Sequence, residues 1–385
     1  MNFKYKLFAY MFNFFKFFSF SRKDVFFILD KKSSFNGNSK FIKDELCKRG
    51  NFRYHCLSKE EFSFRQVKSL SSIIKKIFTL LNFFFIKPYK LSKSKYVFLN
   101  DNFFPLAYMN FKKDVIIFQL WHAPGAFKKF GISVVQDKNL KDLIKLSNNN
   151  VYLSVSSKNV SEFYQEAFGV SKDKILNFGV PRIDYYFDKK YNNENNKKHI
   201  RGNLEKKYPE IKGKKIILYA PTFREHEKKN KDILNNFDFN RFNACLGDEF
   251  SLIFKSHPKI KTPSIEGGID LTNYSDEKEL LLISDILITD YSSLMIEFSI
   301  LLKPIIFYPF DLYHYLKNER GFYFDYNKVP GPIAKNTNEL VEIIKNNDFD
   351  FDLIKTFVKE NYDFLDNNSS KRIVDFVLDS NKHSR

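Results

Sequence analysis

The chain has 385 residues, with 63 Lys and Arg against 45 Asp and Glu, a formal charge of +18. All but +3 of this falls in residues 1–100, where 21 basic side chains meet 6 acidic ones. A hydrophobic content of 43%, with 46 Phe and 21 Tyr, excludes a wholly disordered chain. Three cysteines without a CxxC pair exclude a disulfide scaffold or a structural zinc site and fit a reducing compartment.

The first segment, residues 1–23, reads MNFKYKLFAYMFNFFKFFSFSRK. Asn13 and Lys16 interrupt its apolar stretch and no small-residue cleavage site precedes Arg22, so it is not read as a signal peptide. No run of ~18 uncharged apolar residues occurs, so no ordinary transmembrane helix is expected. Helical spacing puts Asn2, Lys6, Asn13 and Lys16 on one side, with Phe and Leu over much of the rest, although Lys4 breaks the pattern. A second amphipathic helix is expected at about 66–87. There Ser72, Lys75, Lys76 and Thr79 oppose Ile73, Ile74, Ile77, Leu80, Leu81, Phe84 and Phe85. Such helices lie in a membrane interface or pack on a sheet. The local excess of lysine calls for an anionic partner, a membrane surface or a nucleic acid. Segregation of the aromatics onto helix faces favours the anionic membrane and argues against nucleic acid.

From residue 24, strand-length apolar runs alternate with helix-length periodic stretches. The runs are Val25–Leu29, Tyr96–Leu99, Val115–Gln119, Val151–Val155, Ile175–Phe178, Ile216–Tyr219, Ser251–Phe254, Ile286–Thr289 and Pro304–Tyr308. The pattern predicts an α/β fold of two Rossmann-like domains with parallel sheets, facing across a cleft. The N-terminal domain is expected over 24–190 and the C-terminal domain over 211–385. The Asn- and Lys-rich stretch 191–210 is expected as a linker. A polar-faced helical stretch, Asp348–Leu378, is expected to close the C-terminal domain. No GxGxxG fingerprint supports a dinucleotide enzyme.

Ligands of open α/β sheets bind beyond the carboxyl ends of the strands. Here these ends carry Trp121-His122 through Lys128, Ala220 through Arg224, Lys255-Ser256-His257-Pro258, and Asp290-Tyr291-Ser292-Ser293. The serines can cap the helix that follows them and favour a phosphate oxygen. Arg224 can grip phosphate with two prongs, and equally a carboxylate. His257 is held at a rigid exit before Pro258. His122, ahead of an Ala-Pro-Gly turn, can take a proton from a hydroxyl at neutral pH, or it is a core histidine beneath Trp121. There is no GxSxG elbow and no HExxH spacing, and no paired acid of the DxD type stands at a strand end. No cofactor and no metal site are therefore expected, and a transfer that is metal-free or loosely metal-assisted is favoured.

The stretch Ile283–Asn336, which contains SDILITDYSSLMIEFSILLKPIIFYPF, closely resembles the CDP-glycerol glycerophosphotransferase family, which primes and polymerises teichoic acids and related capsular polymers. YAPTFRE at Tyr219–Glu225, KSHP at Lys255–Pro258, FGVPRID at Phe178–Asp184 and QLWHAPGAFKKFG at Gln119–Gly131 extend the resemblance over roughly 24–345. It implies a glycosyltransferase-B-like fold and a peripheral enzyme on the cytoplasmic face of the membrane. It also implies transfer of a polyol phosphate from CDP-glycerol or CDP-ribitol to a lipid-linked saccharide or polyol-phosphate acceptor, with release of CMP. By motif, His122 resembles the general base. Arg224, His257, Ser292 and Ser293 resemble the ligands of the donor diphosphate, with Asp290 in the same motif and Lys128 as a further substrate contact. Many members read Trp-His-Gly-Thr-Pro-Leu-Lys where this chain has Trp-His-Ala-Pro-Gly-Ala-Phe-Lys, so its acceptor specificity is expected to differ. The length leans towards a primase-like or compact transferase. A nucleotide-sugar glycosyltransferase is the alternative with the same fold.

Overall fold

The computed structural model describes residues 3–19, 22–29, 35–58, 61, 77–224, 227–256 and 267–380. The chain forms two compact units. Unit 1 comprises Met1–Ala123, Phe130–Asp184 and Asn368–Arg385, and unit 2 comprises Pro124–Lys129 and Tyr185–Asn367.

Unit 1 is built on a six-stranded sheet in the order β2-β1-β3-β4-β5-β6. Its strands are β1 (Arg22–Leu29), β2 (Arg53–Ser58), β3 (Ser94–Leu99), β4 (Ile116–Gln119), β5 (Val151–Ser154) and β6 (Ile175–Leu176). Every pairing is parallel. Both faces of the central strands β1, β3, β4 and β5 are buried, which is why these read as continuous apolar runs. Phe26, Ile28, Val97, Leu99 and Ile117 face one layer, into which helix Phe3–Phe17 inserts Phe8, Ala9 and Phe12. Val25, Phe27, Tyr96, Phe98 and Phe118 face the other. That second layer is covered by helix Gly37–Arg49 through Ile42 and Leu46 and by helix Ser369–Asp379 through Ile373, Val374 and Val377.

Unit 2 holds a five-stranded parallel sheet, β11-β10-β7-β8-β9. Its strands are β7 (Lys215–Tyr219), β8 (Phe250–Phe254), β9 (Ile269–Asp270), β10 (Ile286–Thr289) and β11 (Ile305–Phe307). Strand order reverses between β7 and β10 here and between β1 and β3 in unit 1, and such reversals open a crevice beyond the carboxyl ends. The fold is of the two-domain, glycosyltransferase-B-like class.

Three boundaries differ from the sequence expectation. The stretch 191–210 is not a linker: it holds helix Glu194–Lys207, capped by the Asn193 side chain, which accepts from the Asn196 N–H at 2.9 Å. Only Ile200 and Leu204 of that helix are buried, one turn apart, and this narrow stripe is why it reads as polar chain. Asp348–Leu378 is two helices, Phe351–Asn361 in unit 2 and Ser369–Asp379 in unit 1, so 211–385 is not one domain. The buried Asp184 carboxylate fixes the second of these, accepting from the Ser369 and Ser370 N–H groups at 3.0 and 2.9 Å and from the Ser370 hydroxyl at 2.6 Å. Finally, Pro124–Lys129 belongs to unit 2 although unit 1 surrounds it in sequence.

The N-terminal helix is also oriented otherwise than its wheel suggests. Asn13 points inward, donating to the Tyr108 carbonyl at 2.8 Å and accepting from the Asn110 N–H at 2.9 Å. Phe14, Phe17 and Phe18 remain exposed. Of the second amphipathic segment, residues 66–76 lie outside the described residues. The rest continues as a helix through a π turn at Asn82–Ile86 into Lys87–Lys93. It buries Phe83 against Phe8, with ring centroids 5.3 Å apart, and leaves Ile77, Phe78, Leu81, Phe85 and Ile86 exposed. No described helix is long and apolar enough to cross a membrane.

Candidate active site

In unit 2 the predicted residues gather at the β7/β10 crevice, but not all face it. The Asp290 carboxylate follows β10 and accepts from the Thr222 N–H at 2.7 Å and the Tyr291 N–H at 2.5 Å, so it ties the β7 and β10 turns together. Arg224 lies beside it with no exposed surface. Its Nε and Nη2 grip Asp311 bidentately at 2.8 and 2.7 Å, Nη2 also pairs with Asp290 at 2.9 Å, and Nη1 donates to the Thr222 carbonyl at 2.5 Å. Rings of Tyr291, Phe310 and Tyr315 pack 4.9–5.3 Å from the guanidinium carbon. Burial alone would lower the Arg224 pKa, but Asp290 and Asp311 outweigh it and hold the group above its ordinary value.

Arg224 and Asp290, expected as donor ligands, are here paired with each other and with Asp311. The guanidinium fork meets two carboxylates in a buried triad at the carboxyl ends of β7, β10 and β11. Asp311, which completes it, was not singled out from the sequence. It stands just beyond β11, the same strand-end position that drew attention to Asp290.

Three other predicted residues are more accessible. Ser292 and Ser293 are half-buried at the start of helix Leu294–Ser299. Ser292 Oγ accepts from the Leu294 N–H at 3.3 Å, whereas Ser293 makes no side-chain cap. Lys128 reaches unit 2 on a short antiparallel pairing with Phe322, flanked by hydrogen bonds from the Lys129 N–H to the Gly321 carbonyl and from the Tyr323 N–H to the Phe127 carbonyl, each 2.8 Å. Phe127 stacks on Phe322 with centroids 4.5 Å apart. Gly125, at φ +62°, permits this passage, since a Cβ there would lie 2.8 Å from Asn361 Oδ1 and from an Ile296 methyl. Burial pushes the Lys128 ammonium down to about 8, with the Asp290 charge opposing. That ammonium makes no hydrogen bond among the described residues. His257 lies outside the described residues.

In unit 1, β4 ends in a turn whose geometry presents His122. Trp121 adopts φ +54°, a left-handed conformation unfavourable for a bulky side chain. Several bonds hold it there: Asn38 Nδ2 donates to the Leu120 and Trp121 carbonyls at 3.1 and 2.7 Å, and the Trp121 N–H donates to Gln119 Oε1 at 3.0 Å. The Trp121 ring stacks on Phe130 and meets Phe168 edge-on. The His122 ring rests on Trp121, centroids 4.1 Å apart, and the residue is exposed, which removes the core-histidine reading. Arg182 gains a position here: its N–H donates to Asn38 Oδ1 at 2.8 Å and its guanidinium to the His122 carbonyl at 3.2 Å. Asn38 carries no local sequence signal, because it acts 82 residues away in the chain.

Comparison with known proteins places these features in a family. The chain is 34% identical over 97% of its length to a teichoic acid poly(ribitol-phosphate) polymerase of Bacillus spizizenii, and spans 59% of that protein. It is 35% identical over 76% of its length to a teichoic acid ribitol-phosphate primase of the same organism, spanning 77% of it. The solved structure of the wall teichoic acid polymerase TagF superposes with a TM-score of 0.76 at 25% identity, covering 99% of this chain and 94% of that one. A TagF variant soaked with CDPG gives a TM-score of 0.73 at 25% identity. The family described as CDP-Glycerol:Poly(glycerophosphate) glycerophosphotransferase matches residues 8–379, from the N-terminal helix through both strand-end turns to the last helix, and the chain belongs to it.

Proposed function

We propose that this protein transfers glycerol phosphate or ribitol phosphate from a CDP-activated donor to a hydroxyl of a lipid-linked acceptor, releasing CMP, in the synthesis of teichoic acid or a related surface polymer. Family membership carries this reading. The β7/β10 crevice supplies the donor site. Lys128 there offers an ammonium with no hydrogen-bond partner among the described residues, and Ser292 and Ser293 offer hydroxyls to the diphosphate, with His257 as a further ligand by motif. Such fixed donors stabilise charge that grows on the phosphoryl oxygens and on departing CMP. His122 takes the acceptor hydroxyl proton as the new P–O bond forms and the bond to CMP breaks.

The enzyme works at the cytoplasmic face of the membrane as a peripheral protein. The support is the exposed aromatic surface shared by helix Phe3–Phe17 and the helix ending at Lys93, where Phe15 packs on Tyr89 at 5.5 Å. Bare aromatics beside lysines suit a lipid interface. The test is mass spectrometry of the product from purified protein, each CDP-polyol and a lipid-linked saccharide. Addition of one or more polyol-phosphate units with matching CMP release is expected. Turnover of nucleotide sugars alone would replace this reading with a glycosyltransferase.

A further inference from the structure

A cavity of about 460 Å³ lies at the amino ends of β4 and β5, the opposite end of the unit 1 sheet from His122. Lys112, Lys113 and Lys174 line it, with Asp114 its one acidic side chain and Leu106 and Met109 among its apolar wall. Lys113 and Lys174 form no ion pair among the described residues, and the Lys174 ammonium sits 4.4 Å from the Tyr152 ring centroid. The wall that carries Leu106 to Lys112 is also the seat of the N-terminal helix. Asn13 holds it at Tyr108 and Asn110, Phe12 packs on Phe111 at 4.5 Å, and Lys112 donates to the Ser19 carbonyl. The aromatics Phe14, Phe17 and Phe18 belong to that helix and its end.

We infer that this cavity binds the phosphate headgroup of an anionic membrane lipid. The inference rests on the membrane reading above and adds a defined site to it. Ammonium groups beside an aliphatic wall match a phosphate joined to hydrocarbon, whereas a free phosphate would use the cations and leave the wall idle. The site gives the helix a polar anchor: the aromatics enter the interface, and the headgroup is held by the segment that supports them.

Co-sedimentation with phosphatidylcholine vesicles, with and without about one-third phosphatidylglycerol, tests the site. The wild type is expected to prefer the anionic vesicles. Lys113→Ala/Lys174→Ala is expected to lose that preference, about fivefold per lysine, while a control pair of exposed lysines, Lys138→Ala/Lys158→Ala, keeps most of it. Unchanged thermal unfolding confirms that both doubles fold. Equal losses in the two doubles, or wild-type behaviour of Lys113→Ala/Lys174→Ala, overturn the site and leave the membrane reading standing. Failure of the wild type to bind either vesicle overturns both. Titration with inorganic phosphate is expected to show no saturable heat, and saturable binding that needs Lys113 and Lys174 would replace the lipid by a soluble phosphate.

Discussion

The turns that follow β4 and β10 solve opposite problems. After β4, the backbone is bent into a left-handed conformation at Trp121 and pinned by Asn38 and Gln119, and the outcome is an exposed imidazole. After β10, the backbone is ordinary and the cost lies in charge: Arg224, Asp290 and Asp311 are withdrawn from water and satisfy one another. A group that must exchange protons needs solvent access and a fixed direction, which strain and hydrogen bonds supply. On the proposed function, the β10 turn lies beneath an anionic donor, where a buried ion triad supplies rigidity.

The largest expected effects separate the two. His122→Ala should lower transfer by about 10²–10⁴ while CDP-polyol affinity, measured by calorimetry, stays within a factor of two or so. Comparable activity in the variant would remove the proton-transfer role from the β4 turn. Asp311→Ala should destabilise unit 2 by about 3–5 kcal/mol in denaturant unfolding, because it strands a buried guanidinium. A loss under about 1 kcal/mol would show that water enters the triad and that it is soft.

Smaller effects sharpen the contrast. Lys128→Ala should weaken donor binding about tenfold near neutral pH, in line with one charge-assisted contact. Because burial lowers the Lys128 pKa to about 8, the unliganded ammonium is present below that pH and lost above it. Wild-type donor affinity should therefore fall as pH rises through 8, with uptake of a proton on binding, and Lys128→Ala should flatten this dependence. A slope that persists in Lys128→Ala would assign it elsewhere. Asn38→Ala should lower kcat several-fold to about tenfold through a loosened Trp121 turn, leaving the donor KM unchanged. An equal rise in KM would argue that the two turns are not separable.

Much of this is legible in the amino-acid sequence. Nine of the eleven described strands stand out as apolar runs, the central ones because parallel strands buried on both faces read in this way. β2 and β9 do not, since Arg53-Tyr54-His55 is half polar and in β9 the apolar Ile269 is followed at once by Asp270. The strand ends correctly marked where polar groups collect. Which of them face a ligand was hidden, because a strand-end arginine looks the same whether it meets phosphate or a carboxylate 87 residues further on. Asn13 misled for a related reason: a wheel assigns it to water, while the loop at Tyr108 and Asn110 satisfies it internally.

The seat of helix Ser369–Asp379 bears on how the protein is made. This helix supplies Ile373, Val374 and Val377 to one face of the unit 1 sheet, and its first turn is completed by Asp184. Residues 1–184 lack the last piece of their own core until residues 369–379 are made, whereas unit 2 is fully synthesised once residue 367 has appeared. Unit 1 is therefore finished after unit 2, although most of it is made before unit 2. A stop codon before residue 369 would strip apolar cover from β1, β3 and β4.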